Sequence, residues 1–258
     1  MKKITNLIVD GLLFSALFGC GEALMDYNIN TETPIVESYL QEGANSLTVK
    51  VYSMEVYLKD GYKFSMPVGG LKVNVNSMEL DEVSTGTYQL QDTLREGQEY
   101  RLQFEYNGKS IEASTQIPAP LRNLRVEPES LTLSSSWYFW DSSDTTEVVV
   151  TWDDPDSSYY QVYIESPNTS DMPSLGIFGN RMMQPFRGNT YRATAREFRS
   201  AGVHRIYVYR VNKDYMDLYE RISSSDLANP ISSVSNAFGI FTAVSVASVG
   251  FWVYESSE

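Results

Sequence analysis

The sequence predicts a mainly β protein made of two β-sandwich domains in series, with one short helix. Three observations indicate this fold class. Apolar and polar residues alternate with period two along many short segments, as strands with one buried face require. Asn107-Gly108, a strong hairpin signal, joins two such segments. The run Ile117-Pro118-Ala119-Pro120 then interrupts the pattern, because its two prolines stop a sheet from continuing.

The first domain is expected over residues 34–117. Its predicted strands cover residues 34–40, 47–52, 71–75, 86–90, 100–106 and 109–115. In the clearest of them, Tyr100, Leu102 and Phe104 share one face. Six or seven short strands in roughly 85 residues are typical of a β-sandwich.

The second domain is expected over residues 121–258. Its predicted strands cover residues 124–126, 131–133, 147–152, 159–164 and 203–211, and two further segments, 239–244 and 249–254, are expected to close the fold as a strand pair. Apolar spacings of three and four predict a helix over residues 214–222, with Asn212 as its N-cap. Residues 166–190 show no clear period and are expected to form a long excursion.

A strand ending in Trp152, followed by the tyrosine-rich segment 159–164, resembles an immunoglobulin or fibronectin type III sandwich. We therefore expect sandwiches of the immunoglobulin/fibronectin III-like or transthyretin-like kind. The 18 tyrosines favour β structure in the same way.

The N terminus predicts a lipoprotein signal peptide over residues 1–19. Lys2 and Lys3 precede a short apolar run, which is far below the ~18 to 20 residues that span a bilayer. Residues 17–20, Leu-Phe-Gly-Cys, resemble a bacterial lipobox and end at Cys20, the only cysteine of the chain. The resemblance implies cleavage before Cys20 and acylation of that cysteine, with residues 20–33 as a tether. The alternative is an ordinary signal with an incidental buried cysteine.

Charge excludes some partners. The chain has 33 acidic and 20 basic residues, a net charge of −13 at pH 7. Such a chain repels nucleic acid and anionic lipid, so no nucleic-acid partner is expected and the membrane is reached only through the lipid at Cys20. With that cysteine acylated, no disulfide can form and packed cores must provide the stability.

Motifs for catalysis are weak. The single histidine, His204, lies on a predicted strand, where a packed structural role is expected. We therefore expect no enzyme activity, no catalytic residues, no cofactor and no metal. The acidic turn at residues 153–156, Asp-Asp-Pro-Asp, offers clustered oxygens for a cation, but it lacks the spacing of a calcium loop, and a simple turn explains it equally.

The predicted binding loop is the aromatic run Trp137, Tyr138, Phe139 and Trp140, which serine and aspartate flank on both sides. A strand buries alternate residues, so two of the four should face outward. Exposed tryptophan and tyrosine stack on sugars and anchor protein interfaces. The alternative is a loop that packs against one end of the sandwich. Four apolar residues of the excursion could extend the surface or form a small core of their own: Met172, Met182, Met183 and Phe186.

The whole pattern resembles the domain-of-unknown-function 4249 family of Bacteroidetes lipoproteins. The resemblance rests on the lipobox, on residues 34–40, on Gly86-Thr87-Tyr88, on residues 100–117 and above all on residues 234–243. It implies a companion of a TonB-dependent outer-membrane transporter and carries over no catalytic residue.

The function expected from the sequence is that of a non-enzymatic outer-membrane lipoprotein tethered at the cell surface, with the periplasmic face of the membrane as the alternative location. It would act as a binding or accessory subunit, beside a transporter or on a glycan. The alternative is a structural or adhesive envelope lipoprotein that contacts protein partners. A glycan hydrolase with two carboxylates is the third hypothesis, although no pair stands out in the sequence.

Overall fold

The computed structural model describes residues 33–53, 56–57, 63–64, 66–133, 146–167, 184–198, 200–223 and 232–255. The predicted signal peptide, Cys20 and nearly all of the predicted tether lie outside the described residues. The aromatic run at residues 137–140 also lies outside them, and only the two ends of the excursion at 166–190 are described.

The described chain is mainly β structure, with one α-helix among the described residues. The strands are β1 Ile35–Gln41, β2 Ser46–Tyr52, β3 Val56–Tyr57, β4 Lys63–Phe64, β5 Asn74–Val75, β6 Met78–Glu79, β7 Asp81–Ser84, β8 Thr87–Gln91, β9 Glu99–Tyr106, β10 Lys109–Gln116, β11 Arg125–Glu127, β12 Ser130–Leu133, β13 Glu147–Thr151, β14 Tyr159–Glu165, β15 Phe186–Arg187, β16 Thr190–Thr194, β17 Gly202–Val211 and β18 Phe238–Glu255. Helix α1 spans Lys213–Ser223, and a 3-10 turn spans Ala195–Glu197. The predicted helix and the β9–β10 hairpin are thus confirmed.

The described strands form four sheets. The largest has nine strands in the order β15-β14-β17-β18-β1-β2-β8-β7, with β12 added beside β18. The others are β10-β9-β5-β6, β11-β13-β16 and β3-β4. The nine-stranded sheet therefore contains strands from both halves of the chain.

Strand β18 is 18 residues long, and its neighbours change along its length. Phe238 to Val244 pair in parallel with β1. From Val244 to Val253 the strand pairs antiparallel with β17, and from Trp252 to Glu255 it pairs in parallel with β12. The prediction of two separate closing strands was wrong, because the ladder with β17 continues through the small residues 245–248 that lie between them.

One face of the nine-stranded sheet, which we call the inner face, supplies two hydrophobic cores. The first core draws on residues between 36 and 117 and also contains Phe241 and Ala243 of β18. The second draws on residues between 126 and 208 and also contains Phe251 and Val253 of β18. Along the chain, residues before the proline-rich break at 117–120 belong to the first core and residues from 126 onward begin the second. Division of the chain into domains at 34–117 and 121–258 stays a prediction, and a single strand serves both cores.

Helix α1 covers part of the opposite, outer face. It buries Tyr215 and Leu218 in a cluster with five side chains of the sheet, namely Tyr163, Tyr209, Val211, Ile240 and Val244. The Tyr215 hydroxyl donates to the Gln161 side-chain oxygen at 2.7 Å. Burial raises the pKa of Tyr215 to about 12, so this hydroxyl is neutral at physiological pH.

The proline-rich break is held against the sheet by Arg210 and Asn212. The Arg210 guanidinium is almost buried and donates to the Ala119 carbonyl at 3.3 Å and to Asp156 Oδ2 at 2.8 Å. The Asn212 side-chain amide donates to the Gln116 carbonyl at 2.9 Å, while its backbone carbonyl accepts from the first turn of α1. These bonds satisfy polar groups that would be costly to leave unpaired where the two cores meet.

Gly239 allows β1 and β18 to approach closely. Its φ is +97°, and a Cβ placed on it would lie 2.0 Å from the Val36 carbonyl oxygen. Such a distance is impossible for a real side chain, so the pairing requires glycine here. Gly250, on the same strand, differs in both respects, because its φ lies outside the left-handed region and a Cβ would meet no atom within 4 Å.

We expect Gly239→Ala to lower the free energy of unfolding by about 3 kcal/mol or more, because the methyl group forces β1 and β18 apart. Gly250→Ala is the matched control and should change stability by less than about 1 kcal/mol. Urea unfolding followed by tryptophan fluorescence measures both. Equal stability of the two variants would show that the close approach is not required.

Candidate functional site

Beyond helix α1, the outer face of the sheet carries large apolar side chains in solvent. Trp252 and Tyr254 of β18 are 51 % and 50 % exposed, and Val203 of β17 is 45 % exposed. Val203 lies directly opposite Trp252 in the β17–β18 ladder. We call Val203, Arg205, Gly250, Trp252 and Tyr254 the outer strip.

The alternation of β18 creates this strip. Phe251 and Val253 point into the second core, so the residues on either side of them must point outward. The Trp252 and Tyr254 rings are nearly parallel, with an angle of 12° between their planes and 6.2 Å between their centroids. The two rings therefore present similarly oriented faces on a rigid strand.

Polar groups border the two rings. Ser130 and Thr132 of β12 are exposed and lie opposite Trp252 and Tyr254 in the parallel ladder. On the other side, Arg205 is exposed and lies opposite Gly250. The strip and the bordering residues of β12 thus combine aromatic rings with hydroxyl and guanidinium groups, a composition suited to binding.

Tyr207, a half-buried residue of β17, borders the strip on the side of the helix. The Tyr207 hydroxyl donates to Glu165 Oε2 at 3.1 Å. Burial, and then the bond to Glu165, raise the pKa of Tyr207 above its ordinary value. The tyrosine therefore stays neutral, and the carboxylate keeps acceptor capacity at the border of the strip.

The outer strip lies far from the point where the described chain begins. Ile35, at the start of β1, pairs with Phe238, at the start of β18. Trp252 follows Phe238 by 14 residues of the same strand, a span of up to about 46 Å at ~3.3 Å per residue. Any anchor that precedes residue 33 is therefore connected at the opposite end of β18 from the strip.

The predicted binding residues Trp137, Tyr138, Phe139 and Trp140, like Cys20, lie outside the described residues. Strand β12, which precedes the aromatic run, ends at Leu133, and Leu133 pairs with Glu255 beside Tyr254. Phe186 does not extend an exposed surface, because its ring packs on Trp152 and Tyr191 at centroid distances of 6.0 and 6.1 Å.

Sequence reasoning missed the strip. The segment 249–254 was predicted to be a strand, but Trp252 and Tyr254 were not assigned to a face. The order Phe251, Trp252, Val253, Tyr254 contains the signal that would have found it. In a strand, Trp252 and Tyr254 must face outward if Phe251 and Val253 are buried.

The carboxylates of the acidic turn accept bonds from protein donors. Asp154 Oδ1 accepts from the Ser158 amide and the Tyr160 hydroxyl, and Asp156 Oδ2 accepts from Arg210. No group of three metal-ligating side chains occurs in the part of the chain that the structure describes. These hydrogen bonds give Asp154 and Asp156 a structural role in the turn.

A polar groove of about 800 Å³ lies on the sheet formed by β9 and β10. Its lining includes Asn76, Arg101, Glu112 and Asp214. Asn76 uses its side chain on the sheet itself, since its oxygen accepts from the Arg101 amide at 2.9 Å. Burial raises the pKa of Asp214, with the negative charge of Asp217 adding to the effect. The groove is polar and open, in contrast to the aromatic outer strip.

His204 is a fully buried strand residue on the inner face. Its ring packs edge-on against Phe198 at 5.4 Å, and neither ring nitrogen forms a well-directed hydrogen bond with a described residue. Burial lowers the pKa of His204, and the Gly202 backbone only partly offsets this. The imidazole is therefore neutral in the folded protein and lies within the second core.

We expect His204→Leu to be more stable relative to the native protein at pH 5.5 than at pH 7.5. The folded-state pKa of His204 is lowered, so below its ordinary value of 6.5 the unfolded chain binds a proton that the folded chain refuses, and native stability falls as the pH drops. The variant lacks this loss. Urea unfolding at both pH values measures it, and a pH-independent difference would contradict the buried neutral imidazole.

Among the described residues, no helix is long and apolar enough to cross a membrane.

Comparison with known proteins identifies the family. A family model described as "Domain of unknown function (DUF4249)" matches residues 24–249. The chain belongs to the DUF4249 family. The match includes strands of both cores and the greater part of β18, and a search of curated proteins finds no match.

Solved structures resemble this DUF4249 chain only distantly. A structure described as DIP-gamma IG1+IG2 is 9% identical with a TM-score of 0.20, covering 88% of this chain and 99% of that one. A cytokine receptor complex is 13% identical with a TM-score of 0.23, covering 67% and 88%. The N-terminal four Ig domains of a Dscam1 isoform are 10% identical with a TM-score of 0.21, covering 87% and 46%. TM-scores of this size carry no argument about the arrangement of the strands.

Proposed function

We propose that this DUF4249 protein is a surface-tethered, non-enzymatic lipoprotein of the outer membrane that serves as a binding subunit beside a transporter. The observation that carries the proposal is the outer strip. Two half-exposed aromatic rings on a rigid strand provide contact area for a ligand, and such area otherwise costs solubility.

The position of the strip supports a tethered role. Acylation at Cys20 would attach the chain to lipid on the N-terminal side of residue 33, where β1 and β18 begin. The strip lies at the other end of β18 from this attachment point. Sandwiches of the immunoglobulin type, which we propose for the two cores, present ligand surfaces at their ends in the same way.

Binding fits the strip better than catalysis. Tryptophan and tyrosine provide a large contact area at a small cost in conformational entropy, which suits the binding of a ligand. The alternative, an adhesive envelope subunit, would need a protein-binding surface larger than the strip.

The test of the anchor and of the transporter is a pull-down from bacterial membranes solubilised in detergent, after growth with a fatty-acid analogue. We expect the native protein to carry the label, to sediment with membranes and to co-purify with an outer-membrane transporter. Cys20→Ala should lose all three properties. Trp252→Ala/Tyr254→Ala should keep them, because acylation would occur at Cys20 and the proposal assigns the strip to the ligand and not to the transporter.

Two results would contradict the proposal. If Cys20→Ala still sediments with membranes, Cys20 does not carry the lipid anchor. If the native protein purifies without a transporter after cross-linking, it is not an accessory subunit of one.

A further inference from the structure

We propose that Trp252 and Tyr254 form a stacking platform for a neutral glycan, a chain of uncharged hexoses. This inference rests on the proposed binding function and names the ligand of its site. It needs neither the anchor nor the transporter, so it can fail or succeed separately from them.

The ring geometry matches a sugar. A pyranose ring presents several C–H bonds on one flat side, and these carry small positive charges that the negative face of an aromatic ring attracts. Trp252 and Tyr254 lie two residues apart on one face of β18, with ring planes 12° apart. Each ring is about half exposed, so a sugar ring can stack on the exposed part of either one.

Space and polar groups beside the rings suit hydroxyls. Gly250 precedes Trp252 on the same face, and a side chain built there would meet nothing within 4 Å. Arg205 lies opposite Gly250 in the ladder and is exposed, and its guanidinium, which also bonds to Tyr207, is a hydrogen-bond donor on this side of the rings. Sugar hydroxyls that flank a stacked ring need such donors, and Ser130 and Thr132 supply hydroxyls along the other side of the rings.

The size of the strip argues against a protein partner or a second copy of this chain. A tryptophan or tyrosine offers about 150–250 Å² of surface, so two half-exposed rings offer on the order of 200 Å². A stable protein interface needs about 800 Å² from each partner. One or two sugar rings need far less than that.

Charge argues against a lipid surface. Interfacial aromatic residues act on membranes together with several lysines and arginines, whereas the strip has only Arg205 and the chain has a net charge of −13. A neutral glycan does not experience that charge. An anionic polymer would be repelled by it.

The test is affinity electrophoresis of the full-length protein in native gels that contain one neutral polysaccharide each: hydroxyethylcellulose, laminarin, amylopectin or galactomannan. The protein is kept in lauryldimethylamine oxide, because a maltoside detergent would compete for the platform. We expect retardation in at least one gel, with affinity about tenfold weaker for each ring removed in Trp252→Ala and Tyr254→Ala.

Two further variants separate the platform from general surface effects. Gly250→Gln keeps both rings but fills the open space, and it should also weaken retardation. Met78→Ala removes a side chain that is 44 % exposed on another sheet, and it should change nothing. Circular dichroism and thermal unfolding check that each variant is folded. We expect all of them to fold, because the changed residues are exposed.

Three results would overturn the platform. One is the absence of retardation in all four gels, and another is equal retardation of the native protein and of Trp252→Ala/Tyr254→Ala. The third is ring-dependent binding to vesicles of phosphatidylethanolamine and phosphatidylglycerol in place of polysaccharide, which would assign the rings to a membrane. Loss of the transporter in the pull-down leaves retardation unaffected, so the two proposals fail separately.

Discussion

The rest of the structure depends on one strand, β18, which pairs with β1, β17 and β12 and supplies side chains to both cores. The strand can do this because Gly239 lets it approach the β1 backbone more closely than any side chain would allow. From that point its alternation fixes two sets of residues. Among the odd positions, Phe241 and Ala243 point into the first core and Phe251 and Val253 into the second, and the even positions form the outer face.

The outer face divides into two parts for the same reason. Near Ile240 and Val244 it is covered by helix α1, which follows β17 directly and has an apolar side to bury. The helix is only 11 residues long, about 16 Å, and cannot reach the far end of an 18-residue strand. Trp252 and Tyr254 therefore remain in solvent. A short helix on a long strand produces a binding surface without any change of fold.

Sequence patterns predict local structure well and distant pairing poorly. The β9–β10 hairpin is confirmed to within one residue at the open end of each strand, because Tyr100, Leu102 and Phe104 alternate and the Asn107-Gly108 turn sets the register. The parallel pairing of Ile35 with Phe238 has no local signal, since about 200 residues separate them. The small residues at 245–248 resembled a break in the strand, and they remain in it because β17 bonds them. This continuity places Trp252 on the outer face, so the site could not be assigned before the ladder was known.

Native-state hydrogen exchange across both cores tests the role of β18 most directly. The measurement follows peptides from β9 and β10 in the first core and from β14 and β17 in the second, at increasing urea below the unfolding midpoint. If β18 joins the cores as described, their slowest amides open with the same free energy and the same urea dependence, as parts of one cooperative unit. Early exchange throughout β9 and β10, with β14 and β17 still fully protected, would contradict this account and assign β18 to the second core alone.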